Sequence, residues 1–284
     1  MTYEVITYST PSLIELLAKA AKTSVAQVSA KQHISYFHNY FSDLGASTIV
    51  AEFDYIDHDY IEDYSSYYVK CFHDYGRKCV RLHFFQQQFN KRQFSNAFRS
   101  KSRRFFKKLS DSYLGFIVVK PLPITIVGRT CLKTYPFANE RFYPITRSYK
   151  ASLFGLDLQV KTLAYQEQDQ VAAACATSAL WSVFHGTGIL FQHSIPSPIE
   201  ITKAALEKSP AEMRNLPNKG LTLEQLGHAI RDVNLDPFLV KASNEHVLKS
   251  TAYGYLRAGI PIYFSIRLVN ETKWLGGHGV ALAG

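Results

Sequence analysis

Hydrophobic positions along the chain switch between helical and strand spacing, and the switching points mark the elements. Residues 11–43 predict one or two helices, opening with Thr10 as cap and Pro11 as the first helical residue. Ser47–Phe53 and Lys78–Phe85 are runs of β-branched, aromatic and apolar residues and predict strands. Gln86–Leu109 predicts one basic amphipathic helix, with Phe94, Phe98, Phe105 and Leu109 at helical spacing. Tyr113–Lys120 and Thr125–Leu132 predict strands parted by Pro121-Leu122-Pro123, with more strand-like sequence to about Ala164.

Capped helices dominate the second half. Cys175–Phe184 is an unbroken helical run, expected to end before Gly186. Ser197-Pro198-Ile199-Glu200 combines an N-cap, a first-turn proline and a capping-box acid. Thr222-Leu223-Glu224-Gln225 is a second capping box, with Leu221 and Leu226 as its staple and Leu223, Leu226, Ile230 and Val233 as the inward stripe. A further helix over about 244–257 stops at Gly259 and Pro261, and Ile262–Leu268 and Gly279–Ala283 predict buried strands. The expectation is an α+β protein of two domains, 1–160 and 161–284.

Composition narrows the classes. The chain has 284 residues, 46% hydrophobic and 19% charged, with 19 Phe and 18 Tyr, so it is neither disordered nor a stapled miniprotein. No apolar run approaches the roughly 18–20 residues of a membrane span, and the N-terminus lacks the pattern of a secretory signal. Four cysteines without a CxxC pair are expected as free thiols in a cytoplasmic protein. The net charge of +9 lies wholly in residues 1–150, with 21 basic against 12 acidic residues; the remainder is balanced, 11 against 11. Glu52–Asp63 holds six carboxylates and no base, and Lys70–Lys108 holds twelve bases against Asp74.

Candidate chemistry begins at Gln168-Asp169-Gln170-Val171-Ala172-Ala173-Ala174-Cys175, where a cysteine meets the start of a helix. Unpaired backbone N–H groups and the positive end of the helix dipole favour the thiolate, which is the nucleophile. A glutamine shortly before it can aim its amide at a developing oxyanion, beside the cysteine's own N–H. His278, in Gly276-Gly277-His278-Gly279-Val280-Ala281-Leu282-Ala283, opens a small apolar strand that would hold an imidazole rigidly.

Over about 163–284 this order of elements resembles the papain-like cysteine peptidases. It is most similar to bacterial peptidases that process double-glycine leader peptides. Gly220-Leu-Thr-Leu-Glu-Gln-Leu-Gly-His-Ala-Ile and Leu256-Arg257-Ala258-Gly259-Ile260-Pro261-Ile262 carry the likeness besides the cysteine and histidine segments. The resemblance implies Cys175 as nucleophile, His278 as general base and Gln168, with Gln170 as alternative, as oxyanion donor. It implies hydrolysis of a peptide or isopeptide bond in a peptide or protein substrate, with no cofactor and no metal. The family's usual glutamine position, six residues before the cysteine, is Asp169 here. The Asp or Asn that normally orients the histidine would follow Gly284, so the expected domain is truncated after the histidine strand.

The rival expectation is a non-catalytic interaction module of the same fold. Arg99, Lys101, Arg103, Arg104, Lys107 and Lys108, with Lys91 and Arg92 before them, could bind an anion such as nucleic acid. The preferred alternative for that basic helix is internal docking on the Glu52–Asp63 run. Cys71, Cys79 and Cys131 are expected as core or surface thiols, and His185, His193, His228 and His246 as solvated or capping residues. No His, Cys or acidic pair has convincing zinc or calcium spacing.

Overall fold

The computed structural model describes residues 2–135, 141–169, 174–208, 220–270 and 273–284. It is a mixed α and β structure with antiparallel pairing, and it divides into two compact units. The first holds 1–61, 71–135 and 148–162; the second holds 163–284 together with Glu62–Lys70 and the segment ending at Arg147.

The first unit is built on a five-stranded sheet whose strands follow sequence order. These are β1 (Tyr3–Thr7), β2 (Thr48–Tyr55), β3 (Cys79–Phe85), β4 (Tyr113–Val119) and β5 (Val127–Leu132). β3 and β4 are buried on both faces; β4 is apolar throughout, while β3 carries Arg81 and His83 among its apolar residues. One face meets α1 (Thr10–Ala21), α2 (Val25–Ser29) and α3 (Gln32–Asp43), so the 11–43 region forms three helices rather than one or two. The cap of α1 is Ser9, one residue before the expected Thr10; its hydroxyl accepts from Ser12 N–H at 3.2 Å. Phe41 of α3 stacks on Phe84 of β3 with ring centroids 4.0 Å apart, a pairing worth roughly 0.5–1.5 kcal/mol beyond its buried area.

The hairpin of β6 (Arg147–Leu153) and β7 (Leu156–Thr162) alternates buried and exposed positions, one face inward. Its two-residue turn has φ of 53° at Phe154 and 85° at Gly155, both left-handed, as a twist-matched hairpin turn requires. That turn delivers the Phe154 ring to Tyr3, Phe94 and Phe98. The acidic run contributes α4 (His58–Ser66), with the Asp57 carboxylate accepting from Tyr60 N–H at 3.1 Å.

The expected single helix over 86–109 is two: α5 (Lys91–Arg99) and α6 (Arg103–Asp111). The break has a local cause. Lys101 sits in the left-handed region at φ 49°, where Lys101 N–H donates to Phe98 O at 3.3 Å and Ser102 N–H to Ala97 O at 3.0 Å. Ser102 then caps α6 by accepting from Phe105 N–H.

In the second unit α7 (Cys175–Phe191) runs through Gly186 rather than stopping before it. Gly186 is there for close approach: a Cβ would lie 2.8 Å from Ile145 Cγ2 and 3.0 Å from Pro261 Cγ. α8 (Pro198–Glu207) and α9 (Leu223–Asp232) both open on complete capping boxes, at Ser197/Glu200 and Thr222/Gln225. Along α9 Leu226 and Val233 are buried as expected, whereas Leu223 is exposed. α10 (Glu245–Arg257), capped by Asn244, leads to the hairpin of β8 (Ile262–Asn270) and β9 (Lys273–Leu282), the latter longer than expected.

Candidate functional site

Cys175 is the first residue of α7, and its neighbour Ala174 offers no side-chain cap. The first turn therefore keeps backbone donors without intrahelical acceptors, which suits an anion. From Ala176 to Thr187 every residue of α7 is buried, so the helix is central to its unit. The Thr177 and Thr202 hydroxyls, 3.0 Å apart, tie its start to α8. Cys175 is half-buried and is a free thiol, as are Cys71, Cys79 and Cys131.

His278 is half-buried on β9, paired with Ile266 of β8. Alternation along the hairpin puts Ile262, Phe264 and Ile266 on one face with His278, Val280 and Leu282. α7 packs against β9. Ile262, Phe264 and Leu282 line, together with Leu180, Val183 and Phe184 of α7, a cavity of about 530 Å³. Tyr263 and Ser265, from the hairpin's other face, border the same cavity. Among the described residues no hydrogen bond joins the Cys175 thiol to the His278 ring.

Tyr263, which no sequence motif marks, lies within electrostatic reach of Cys175. It also borders the cavity, and its hydroxyl occupies the space that a side chain at Gly279 would fill. Burial pushes that hydroxyl up to about 12, and the charge of Cys175 adds to the rise. A glycine two residues before an apolar position on the facing strand was the available signal. Gln168 is exposed and its neighbour Asp169 is buried; Gln170 lies outside the described residues.

Two expectations about histidine and charge are corrected. His185 is neither solvated nor a cap: it is buried with its ring 4.2 Å from that of Trp181, edge to face. The Glu52–Asp63 run does not receive the basic helices. Glu52 pairs with Arg81 at 2.8 Å, Asp54 with Lys78 at 2.9 Å, and Asp59 with Arg129 at 2.8 Å, with Asp57 3.7 Å from the same guanidinium. Strand pairing brings Arg81 and His83 of β3 beside Glu52 of β2, so nearer bases in space take the carboxylates. Arg99, Lys101, Arg103, Arg104, Lys107 and Lys108 are all exposed.

A buried polar cluster went unread in the sequence. His83 is fully buried, its Nδ1 2.9 Å from the Tyr113 hydroxyl and its Nε2 3.4 Å from Glu52. Polar residues at alternate positions of β2 and β3 were its signal. Among the described residues no group of three or more His, Cys, Asp or Glu side chains could hold a metal, and no helix is long and apolar enough to cross a membrane.

Comparison of the chain with known protein families, with curated proteins and with solved structures found no match.

Proposed function

We propose that the second unit is a papain-like cysteine peptidase acting through Cys175 and His278. One observation carries the reading: Cys175 begins the central helix, and that helix packs on the strand that holds His278. In this mechanism the imidazole takes the thiol proton as sulfur attacks the scissile carbonyl carbon. The carbonyl electron pair moves to oxygen, where the Cys175 N–H and the Gln168 amide stabilise it. Collapse breaks the C–N bond as the imidazole returns the proton to the leaving amine, and water hydrolyses the thioester with His278 as base. The apolar cavity beside Tyr263 gives a bulky apolar part of the substrate a place to sit.

The test is selective alkylation. Cys79 and Cys131 are buried, so Cys71, half-exposed like Cys175, is the internal control. With iodoacetamide near pH 6, where an ordinary thiol is almost wholly protonated, Cys175 is expected to react roughly tenfold or more faster than Cys71. His278→Ala should remove most of that advantage, and Cys175→Ser should abolish any peptide hydrolysis. Equal labelling of Cys71 and Cys175 would defeat the reading.

A further inference from the structure

The helix pair α5–α6 carries a dense positive charge that no ion pair among the described residues answers. Residues 91–111 hold eight bases and one acid, Asp111. Lys91 lies over the Tyr3 ring at 5.3 Å. Among the described residues, none of Arg92, Arg99, Lys101, Arg103, Arg104, Lys107 and Lys108 makes an ion pair, and all seven are exposed.

Their placement works against the helices that bear them. Lys91 and Arg92 occupy the first turn of α5, and Arg103 and Arg104 the first turn of α6, with no acid in either. Cations at a helix N-terminus oppose the macrodipole. Lys101, a non-glycine residue in the left-handed region, adds backbone strain. An arriving polyanion relieves the first conflict and is met by the second residue's charge.

The apolar side of the pair decides which polyanion. Phe94, Ala97 and Leu109 are buried. The half-buried rings are committed too: Phe98 to Phe94 and Phe106, each at 4.9 Å, and Phe105 to Phe89 at 5.7 Å. No apolar stripe is left to enter a bilayer, as an interfacial helix needs. No exposed aromatic ring is left to stack on unpaired bases, as single-strand binders need. What remains is a cationic surface suited to a duplex backbone.

We propose that the α5–α6 face binds double-stranded nucleic acid through its phosphates, independently of base sequence. This goes beyond the peptidase reading and does not depend on it.

The experiment uses the full chain and fluorescence anisotropy with labelled 20-base-pair DNA and RNA duplexes of arbitrary sequence. Affinity should fall by about a hundredfold or more between 50 and 200 mM salt as counterions are released. Reversing Arg103, Arg104, Lys107 and Lys108 to Glu should abolish binding while the unfolding midpoint does not fall, because all four side chains are exposed and acids in the first turn of α6 suit its dipole. Should that variant misfold, the pair Arg104→Gln and Lys108→Gln must still weaken binding several-fold. Three results would each overturn the proposal: no salt-dependent duplex binding by the parent, duplex binding untouched by these variants, or binding confined to phosphatidylserine-containing vesicles.

Discussion

Gly115→Ala is expected to cost the first unit about 4 kcal/mol, enough to unfold much of a marginally stable domain. Gly115 has φ of 114°, a region open in practice only to glycine, and it lies within β4 between Phe84 of β3 and Leu132 of β5. Backbone strain of this kind is worth roughly 1–3 kcal/mol. The methyl group meets a second obstacle. It would run into the Cys131 carbonyl oxygen, with Leu132 Cα 2.9 Å away. These are backbone atoms, so only separation of the strands relieves the clash, and overpacking adds roughly 1–3 kcal/mol. Gly45→Ala is the matched control: its φ is 63° and no atom lies within 4 Å of the added carbon. It should lose about 1 kcal/mol by strain alone. Urea unfolding followed by far-ultraviolet circular dichroism separates the two. Equal losses would show that strand crowding at Gly115 contributes nothing.

The elements legible in the sequence were those whose own residues decide them. β4 is apolar throughout and β3 largely so because both faces are covered, and α8 and α9 announce themselves through capping boxes whose hydrogen bonds form within four residues. Elements decided by distant partners were not legible. β1, Tyr-Glu-Val-Ile-Thr, is a short, half-buried edge strand paired with β2 more than forty residues away. α7 continues past Gly186 because Ile145 and Pro261 press there, and no local pattern records that pressure. The break at Lys101 has no glycine to mark it. Of the candidate site, Cys175 at a helix start and His278 on a strand were readable. Tyr263 was not, because its relation to Cys175 depends on how helix and hairpin pack. The carboxylates of 52–63 were assigned to bases near in sequence, whereas strand pairing supplied Arg81 and tertiary packing supplied Arg129.

Acidification from pH 7 to pH 4 is expected to remove about 3 kcal/mol from the stability of the first unit, and His83 is the main cause. The Glu52 carboxylate can only accept, so the His83 Nε2 carries the hydrogen and Nδ1 accepts from the Tyr113 hydroxyl. Burial lowers His83 to about 4, an effect the Glu52 hydrogen bond opposes but does not overcome, and the nearby Arg81 charge reinforces it. The unfolded chain takes up this proton near pH 6.5, its ordinary value, while the fold refuses it until about pH 4. Across that window the unfolded state holds more protons, so stability falls as pH falls and levels off below it. At 1.36 kcal/mol per pH unit, the gap amounts to about 3 kcal/mol. Glu52 acts in the same direction at lower pH. Burial raises it, but the His83 hydrogen bond and the Arg81 charge more than offset that and hold it below its ordinary value. Its contribution is present above the unfolded carboxylate range and is lost as pH falls through the folded one. Both tryptophans, Trp181 and Trp274, belong to the second unit, so tryptophan fluorescence would report the wrong half. Hydrogen exchange of β2 and β3 peptides against pH reports the right one. His83→Gln keeps a donor and an acceptor but has no proton to take up, and its stability should be nearly flat between pH 6.5 and 4.5. A variant curve that parallels the parent's would assign the acid response to groups other than His83.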